Sequence, residues 1–350
     1  MRMGEPGGDW LPRELESATA LRELAAMNRS RFVETIRVVL ELPAGETVRT
    51  HDGWAAVGRL QTTLARDPRV SLVRSIASPD GARRLSYLGL LALPDTALRG
   101  AVTADRRAVL FDVVPREQLD AAGLVQLARD LRALDSGAIA GAGARLRVGG
   151  LPAFRADYFD VVRDGLPVLI VLIMAGTVIA LTLGFRSVLV PIKAVCLNLL
   201  SVAAGLGTVV LVFQEGHGLG LFGLAAPVDQ IFIAIPPLVF CAVFGLSMDY
   251  EVFLVDRVAE ARDRHASEAA AIAEGLARTG PVITNAAAIM VVVFGAFTLG
   301  RVLMMRMLGL ALAATVLVDA AIVRTTIGPA LLALAGRWNW WPGDRRRRTP

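Results

Sequence analysis

An α+β domain of ferredoxin type, followed by an all-α bundle crossing a bilayer about five times, is the fold class the sequence predicts. Three observations lead there. Residues 1–163 have the mixed composition of a soluble protein, whereas apolar runs of membrane-spanning length dominate residues 164–336, giving a mean hydropathy of +0.54. Strand and helix patterns alternate through residues 32–150. Basic residues gather in alternate loops of the apolar half. The chain therefore divides into a lead-in segment (1–31), an α+β domain (32–163), a transmembrane domain (164–336) and a basic tail (337–350).

In the α+β domain, Phe32–Leu42 alternates and is rich in β-branched residues, which predicts a strand. Trp54–Ala65 has helical spacing, and Val70–Ile76 and Ala108–Val114 read as further strands. Arg83–Ala101 is apolar in patches and reads as irregular or helical. Leu119–Leu134 is a strongly periodic helix, and Arg145–Val148, closed by Gly149-Gly150, is a fourth strand. Two βαβ units in succession predict one compact sheet covered by helices. His51 is a lone histidine at a helix start and reads as a cap or surface residue.

Spans are predicted at residues 166–185, 188–213, 228–255, 282–299 and 307–334, each near or above the ~20 residues a bilayer requires. Pro191 and Pro281 fall at helix starts, where proline is tolerated. Pro236-Pro237 falls inside the third span and predicts a kink. Gly205 and Gly207 predict close helix packing, and the charged, alanine-rich Glu260–Arg278 predicts a separate amphipathic helix. Cys196 and Cys241 lie in apolar runs and read as small packing residues, with neither a disulfide nor a metal site implied.

The net charge of +5 resides largely in Arg345–Arg348 and in the loops, a membrane-topology pattern rather than a nucleic-acid surface. Arg186 and Lys193 mark the first loop, Arg257, Arg262, Arg264 and Arg278 mark residues 256–279, and the loop at 214–227 has no Lys or Arg. This predicts a multi-pass cell-membrane protein with residues 1–163 exterior and the C-terminus cytoplasmic. Met1–Arg31 has no apolar core segment to serve as a signal, so the expectation is a missing segment ahead of Met1.

The chemistry-bearing stretch is Phe244–Leu254, which sets Asp249, Tyr250 and Glu251 at or near membrane depth. A charge there costs at least ~2.5–3.5 kcal/mol and marks a proton or cation site, or else a structural carboxylate reaching the membrane edge. Asp249 and Glu251 lie ~200° apart around a helix, with Asp249 expected to face the bundle and Glu251 the cytoplasmic rim. Asp319 and Arg324 add charges in the last span; five residues apart, they do not stack on an α-helix face. They read either as an ion pair joining helices or as relay members.

At these residues the sequence resembles the MMPL family of the resistance-nodulation-division superfamily. The motifs are VFGLSMDYEVFLVDR (243–257), ARTGPVITNAAAIMVVVFGAF (277–297), LGLALAATVLVDAAIVRTTIGPALL (308–332) and NWWP (339–342). The resemblance implies the C-terminal half of a twelve-helix transporter: one exterior porter subdomain and the last five helices. It implies Asp249-Tyr250 as one of two Asp-Tyr pairs in a proton relay, with Asp319 and Arg324 as a charged pair that supports it; Glu251, read from its place beside Asp249, is expected as a further supporting intramembrane charge. Pro281, Asn285 and Asp256 depart from the family pattern, and the whole first repeat and the seventh helix are absent.

The function this implies is proton-driven export of lipids or other hydrophobic compounds, with no cofactor beyond the proton gradient, no metal and no enzyme activity. The bilayer, a hydrophobic substrate, and an N-terminal half-transporter or another copy of the chain are the implied partners. The alternative is a non-transporting scaffold or regulator, or the remnant of a split transporter gene. An intramembrane aspartyl protease fits poorly, because Asp319 lacks flanking glycines and Asp249 is followed by tyrosine.

Overall fold

The computed structural model describes residues 1–4, 12, 14–224, 226–265 and 267–343. The chain forms two units, residues 13–161 and residues 1–12 with 162–350.

The first unit is built on a four-stranded antiparallel sheet of β1 (Ile36–Glu41), β2 (Val70–Ser75), β3 (Ala108–Pro115) and β4 (Arg145–Gly149), in spatial order β2-β3-β1-β4. Helix α1 (His51–Ala65) follows β1 and α2 (Ala121–Arg132) follows β3. This is the split βαβ arrangement of the ferredoxin type. Alternation decides which side is buried: Ile36, Val38 and Leu40 join Leu60, Leu64, Phe111 and Leu127 in one core, while Arg37 and Glu41 point the other way. Both helices start on side-chain caps, with Thr50 Oγ1 accepting from Gly53 N and Asp120 Oδ1 from Gly123 N. His51 opens α1 with an exposed ring. The strand predicted from Phe32 begins only at Ile36, because Ser30–Phe32 coils into a 3₁₀ turn. Arg83–Ala101 holds two short helices, Tyr87–Ala92 and Asp95–Leu98.

Among the described residues five helical stretches are long and apolar enough to cross a membrane, the first of them beginning within residues 13–161 and the rest lying in the second unit. They are α3 (Leu151–Phe185), α4 (Leu189–Val209) with a π-helical turn at Val210–Gln214, α5 (Ile235–Arg262), α6 (Glu268–Phe297), and a composite last stretch. That stretch runs as α7 (Leu303–Val318), a π-helical segment (Asp319–Ile327) and α8 (Gly328–Ala335). Its core is a seam of Val202, Val209, Phe213, Val239, Phe240, Val243, Phe244, Met307 and Ala311. Gly205 lets α4 and α7 close on each other: a Cβ there would lie 1.7 Å from Thr315 Oγ1 and 2.7 Å from the Ala311 carbonyl. Gly207 faces open space and plays no such part.

Several expected boundaries move. Helix α3 starts at Leu151, fifteen residues before the expected span, immediately after Gly150, whose φ of 95° turns the chain out of β4. Helix α5 starts at Ile235, so Pro236 and Pro237 occupy its first turn, where proline is tolerated, rather than the helix interior. Residues ahead of it instead form a short parallel strand pair, Ile231–Phe232 with Met3–Gly4. No separate amphipathic helix occupies Glu260–Arg278: α5 runs to Arg262 and α6 starts at Glu268, which leaves Pro281 inside α6. Cys196 and Cys241 are exposed on the bundle surface rather than packed within it. Of the expected tail, Gly336–Trp340 forms a 3₁₀ turn with Asn339 and Trp340 buried, and Arg345–Arg348 lie outside the described residues.

Candidate functional site

Helix α5 sets the site by its register. Phe240, Val243, Phe244, Ser247, Leu254 and Val258 define its buried face. Ser247 and Glu251 are four residues apart and share that side, whereas Asp249 lies well around the helix from both. The expected facing is thus reversed. Glu251 is turned inward, with its side chain 13% exposed, and Asp249 is exposed on the outside of the bundle. Among the described residues none forms a hydrogen bond or ion pair with the Asp249 carboxylate.

The centre of the site is Asp319, 5% exposed, with Arg324, 3% exposed. Arg324 Nε donates to Asp319 Oδ2 at 2.7 Å. The same oxygen accepts from Ser247 Oγ at 2.9 Å, and Oδ1 accepts from Ser201 Oγ at 2.9 Å. A second guanidinium nitrogen of Arg324 donates to the Ser247 carbonyl. A five-residue spacing does not face on an α-helix, but Asp319–Ile327 is π-helical, with i→i+5 hydrogen bonding, and the wider turn brings Arg324 over Asp319. The pair thereby ties the last span to α4 and α5.

Glu251 and Tyr250 extend this centre. Arg324 Nη1 lies 3.9 Å from Glu251 Oε2, and it has no hydrogen-bond partner among the described residues. The Arg324 guanidinium sits 5.5 Å from the centre of the Tyr250 ring. A narrow crevice between α5, α6 and the last span reaches Ser247, Tyr250, Asp319 and Arg324, with Leu246 and Ala287 on its walls. Glu251 also lies within electrostatic reach of Lys193, whose ammonium donates to Asn339 Oδ1. Lys193, expected in the first loop, is inside α4. No group of three or more metal-ligating side chains occurs among the described residues.

Ser201, Ser247, Lys193 and Asn339 join the site without having been expected in it. Ser201 and Ser247 carried a usable signal, since hydroxyls inside apolar spans tend to bond across helices. Lys193 was masked by its closeness to the loop, and Asn339 by its place after the last span.

The fold and site define a polytopic membrane protein with a ferredoxin-type α+β unit and a buried ion-pair network joining three of its spans. Residues 9–350 match the MMPL family, and the chain belongs to that family. Its members are transporters, not enzymes, and use no cofactor. The chain is 39% identical over 225 residues to a membrane protein of Streptomyces coelicolor, covering 64% of this chain and 30% of the relative. It is 39% identical over 204 residues to the trehalose monomycolate exporter MmpL3 of Mycolicibacterium smegmatis, covering 57% of this chain and 19% of that protein. It is 40% identical over 203 residues to the heme uptake protein MmpL11 of Mycobacterium tuberculosis, covering 58% and 21%. The aligned stretches thus cover less than a third of each of these relatives.

Proposed function

We propose that the chain is the C-terminal half of a proton-driven exporter of lipids or other hydrophobic compounds. It acts with a complementary bundle, either an N-terminal half-transporter or a second copy of itself. The carrying observation is the division of charge around α5. Ser247 and Glu251 face the buried Asp319–Arg324 pair, Tyr250 lies between, and Asp249 stands on an exposed stripe with Leu238, Cys241, Gly245 and Val252. A carboxylate facing hydrocarbon costs at least ~2.5–3.5 kcal/mol, so this stripe calls for a polar cover. Small residues at Cys241 and Gly245 admit a close helix.

In this reading Asp249 loads and releases the proton. Tyr250 can donate to the carboxylate or accept from the acid, and so can follow either state. Asp319, Arg324 and Glu251 fix the charge behind it. Residues 13–161 serve as the exterior porter subdomain, and the basic end after the last span lies in the cytoplasm, as the loop charges favour. The family membership and the exporter among the relatives support a lipid-like substrate.

Asp249→Asn tests the assignment in cells supplying the complementary half. Asparagine keeps the shape and hydrogen-bonding capacity but cannot ionise. The expected result is normal membrane insertion with proton-coupled efflux abolished. Normal expression with normal efflux removes Asp249 from the relay, and poor expression assigns it a structural role.

A further inference from the structure

Gln214 ends the π-helical turn after α4, is buried, and bonds main-chain atoms of two other segments. Its Oε1 accepts from Arg2 N at 3.2 Å, and its Nε2 donates to Arg2 O at 2.9 Å and to Asp229 O at 3.2 Å. One side-chain amide thus holds both the N–H and the C=O of Arg2, the pairing a neighbouring strand would supply. Beside it, Ile231 N donates to Arg2 O at 2.9 Å and Ile233 N to Gly4 O at 3.1 Å, in a parallel register that sets Met3 against Ile231 and Gly4 against Phe232. The receiving strand is itself fastened to the end of α4, because Val228 N donates to Phe213 O at 2.8 Å. All of these residues belong to one unit.

Two features make this a binding site rather than a chance crossing of chain. The receiving side is buried: Ile231 and Ile235 pack with Val209, Phe213 and Val239 in the bundle core, and Ile233 between them is buried too. Main-chain donors of buried residues, and the buried Gln214 amide, cost free energy when unpaired, so the site calls for an occupant. The occupant, in turn, is held by its backbone. The Arg2 and Met3 side chains are exposed, and the bonded atoms are Arg2 N, Arg2 O and Gly4 O. Gly4 is the buried residue of the segment, and a Cβ there would lie 1.7 Å from Gln230 Oε1, so a larger residue displaces the Gln230 amide. The match to the MMPL family begins at residue 9, so the occupying segment lies outside it.

We propose that Gln214 and residues 229–233 form a strand-addition site for an extended peptide segment with a small residue at the position of Gly4, and that residues 2–4 of this chain are its occupant. Occupancy steadies the start of α5, which begins at Ile235, directly after the receiving strand. The docked segment is a strap: it joins the end of α4 to the beginning of the helix that carries Asp249. The inference depends neither on the transport reading nor on which side of the membrane the site faces.

The test is hydrogen–deuterium exchange of the whole chain in nanodiscs, with fragmentation that resolves the amides of Ile231, Ile233 and Leu238. Leu238 N donates to Ala234 O in the first turn of α5. All three amides should be protected in the native chain. Arg2→Pro removes the N–H given to Gln214 Oε1 and should speed exchange at Ile231 and Ile233 by about fivefold or more, with a smaller rise at Leu238. Arg2→Ala changes only a side chain and should behave as the native chain. Gln214→Met removes the amide and should match or exceed Arg2→Pro, and the double variant should go no further than Gln214→Met, because both act through one contact. Arg2→Pro alters an exposed residue, so it decides the matter even should Gln214→Met insert poorly. Exchange at Ile231 and Ile233 as fast in the native chain as in Arg2→Pro overturns the proposal. So do equal effects of Arg2→Ala and Arg2→Pro, and so does an unchanged Leu238 in a variant that frees Ile231 and Ile233.

Discussion

The Asp319–Arg324 pair offers the most direct test of the site's energetics. Arg324→Met removes a guanidinium held at 2.7 Å from Asp319 and bonded to the Ser247 carbonyl, in a position 3% exposed. Asp319 keeps the two serine hydroxyls at 2.9 Å and loses its counter-charge. Breaking one side of a buried pair costs about 3–5 kcal/mol, which is about 10²–10⁴-fold in the folding equilibrium. Asp319→Leu leaves the cation instead and should cost a similar amount. The double variant Asp319→Leu/Arg324→Met removes both charges and their desolvation, so it should lie within about 2 kcal/mol of the native protein. The expected coupling energy is therefore of the same order as each single loss, far above the ~0.5 kcal/mol scatter of independent sites. Denaturant unfolding in mixed micelles, read by resistance to proteolysis, measures all four corners. Single variants that each cost under about 1 kcal/mol, or losses that simply add, would refute the electrostatic account of how the pair joins the spans.

Three further outcomes follow from the same geometry. Gly205→Val should destabilise the bundle by about 1–3 kcal/mol or more, because its Cβ meets Thr315 Oγ1 at 1.7 Å, whereas Gly207→Val, facing open space, should change stability little; thermal unfolding of both variants checks this. Arg69 bonds Asp67 at 2.8 Å and Asp130 at 2.6 Å and holds both carboxyls below their usual range, so their stabilisation is complete above the unfolded carboxylate range near pH ~4 and is lost as pH falls through the depressed folded values. Asp130→Asn should flatten that acid limb by no more than about 1 kcal/mol, since the pair is partly exposed, and acid titration of the α+β unit's circular dichroism in the whole chain reads it. Deleting Ala321 should be tolerated better than inserting an alanine after it: deletion turns the five-residue spacing of Asp319 and Arg324 into an α-helical i,i+4 pair, while insertion separates them, and comparing expression and melting temperature of the two variants decides the point.

Much of the α+β unit is legible in the sequence because burial there has a single direction. Alternation in Ile36–Glu41 and the 3.6-residue period of Ala121–Arg132 each record one apolar face. In the spans that signal fades, since lipid-facing and core-facing positions are both apolar, and so the register of α5 could not be read. The charged residues were visible at membrane depth, but which of Asp249 and Glu251 turned inward was set by packing against α4 and the last span. Helix ends were misjudged where charge resembled loop. Residues 151–165 and 268–281 carry polar side chains yet continue their helices beyond the apolar window.

The π-helical segment explains the remaining discrepancy, and it changes what the buried charges mean. In a regular α-helix Asp319 and Arg324 would lie ~140° apart, and one of them would face away from α4 and α5. The wider turn costs regular hydrogen-bond geometry, and the ion pair it permits offsets that cost. Segment and pair are therefore one device, held by Ser201 from α4 and Ser247 from α5. Any change in the charge of this centre acts on the shape of the last span and, through Ser247 and Tyr250, on the helix that presents Asp249. A single turn of α5 carries both the exposed Asp249 carboxylate and the Ser247 and Tyr250 contacts to the buried pair, and in the relay we propose that turn is the route by which a proton taken up at Asp249 acts on the bundle.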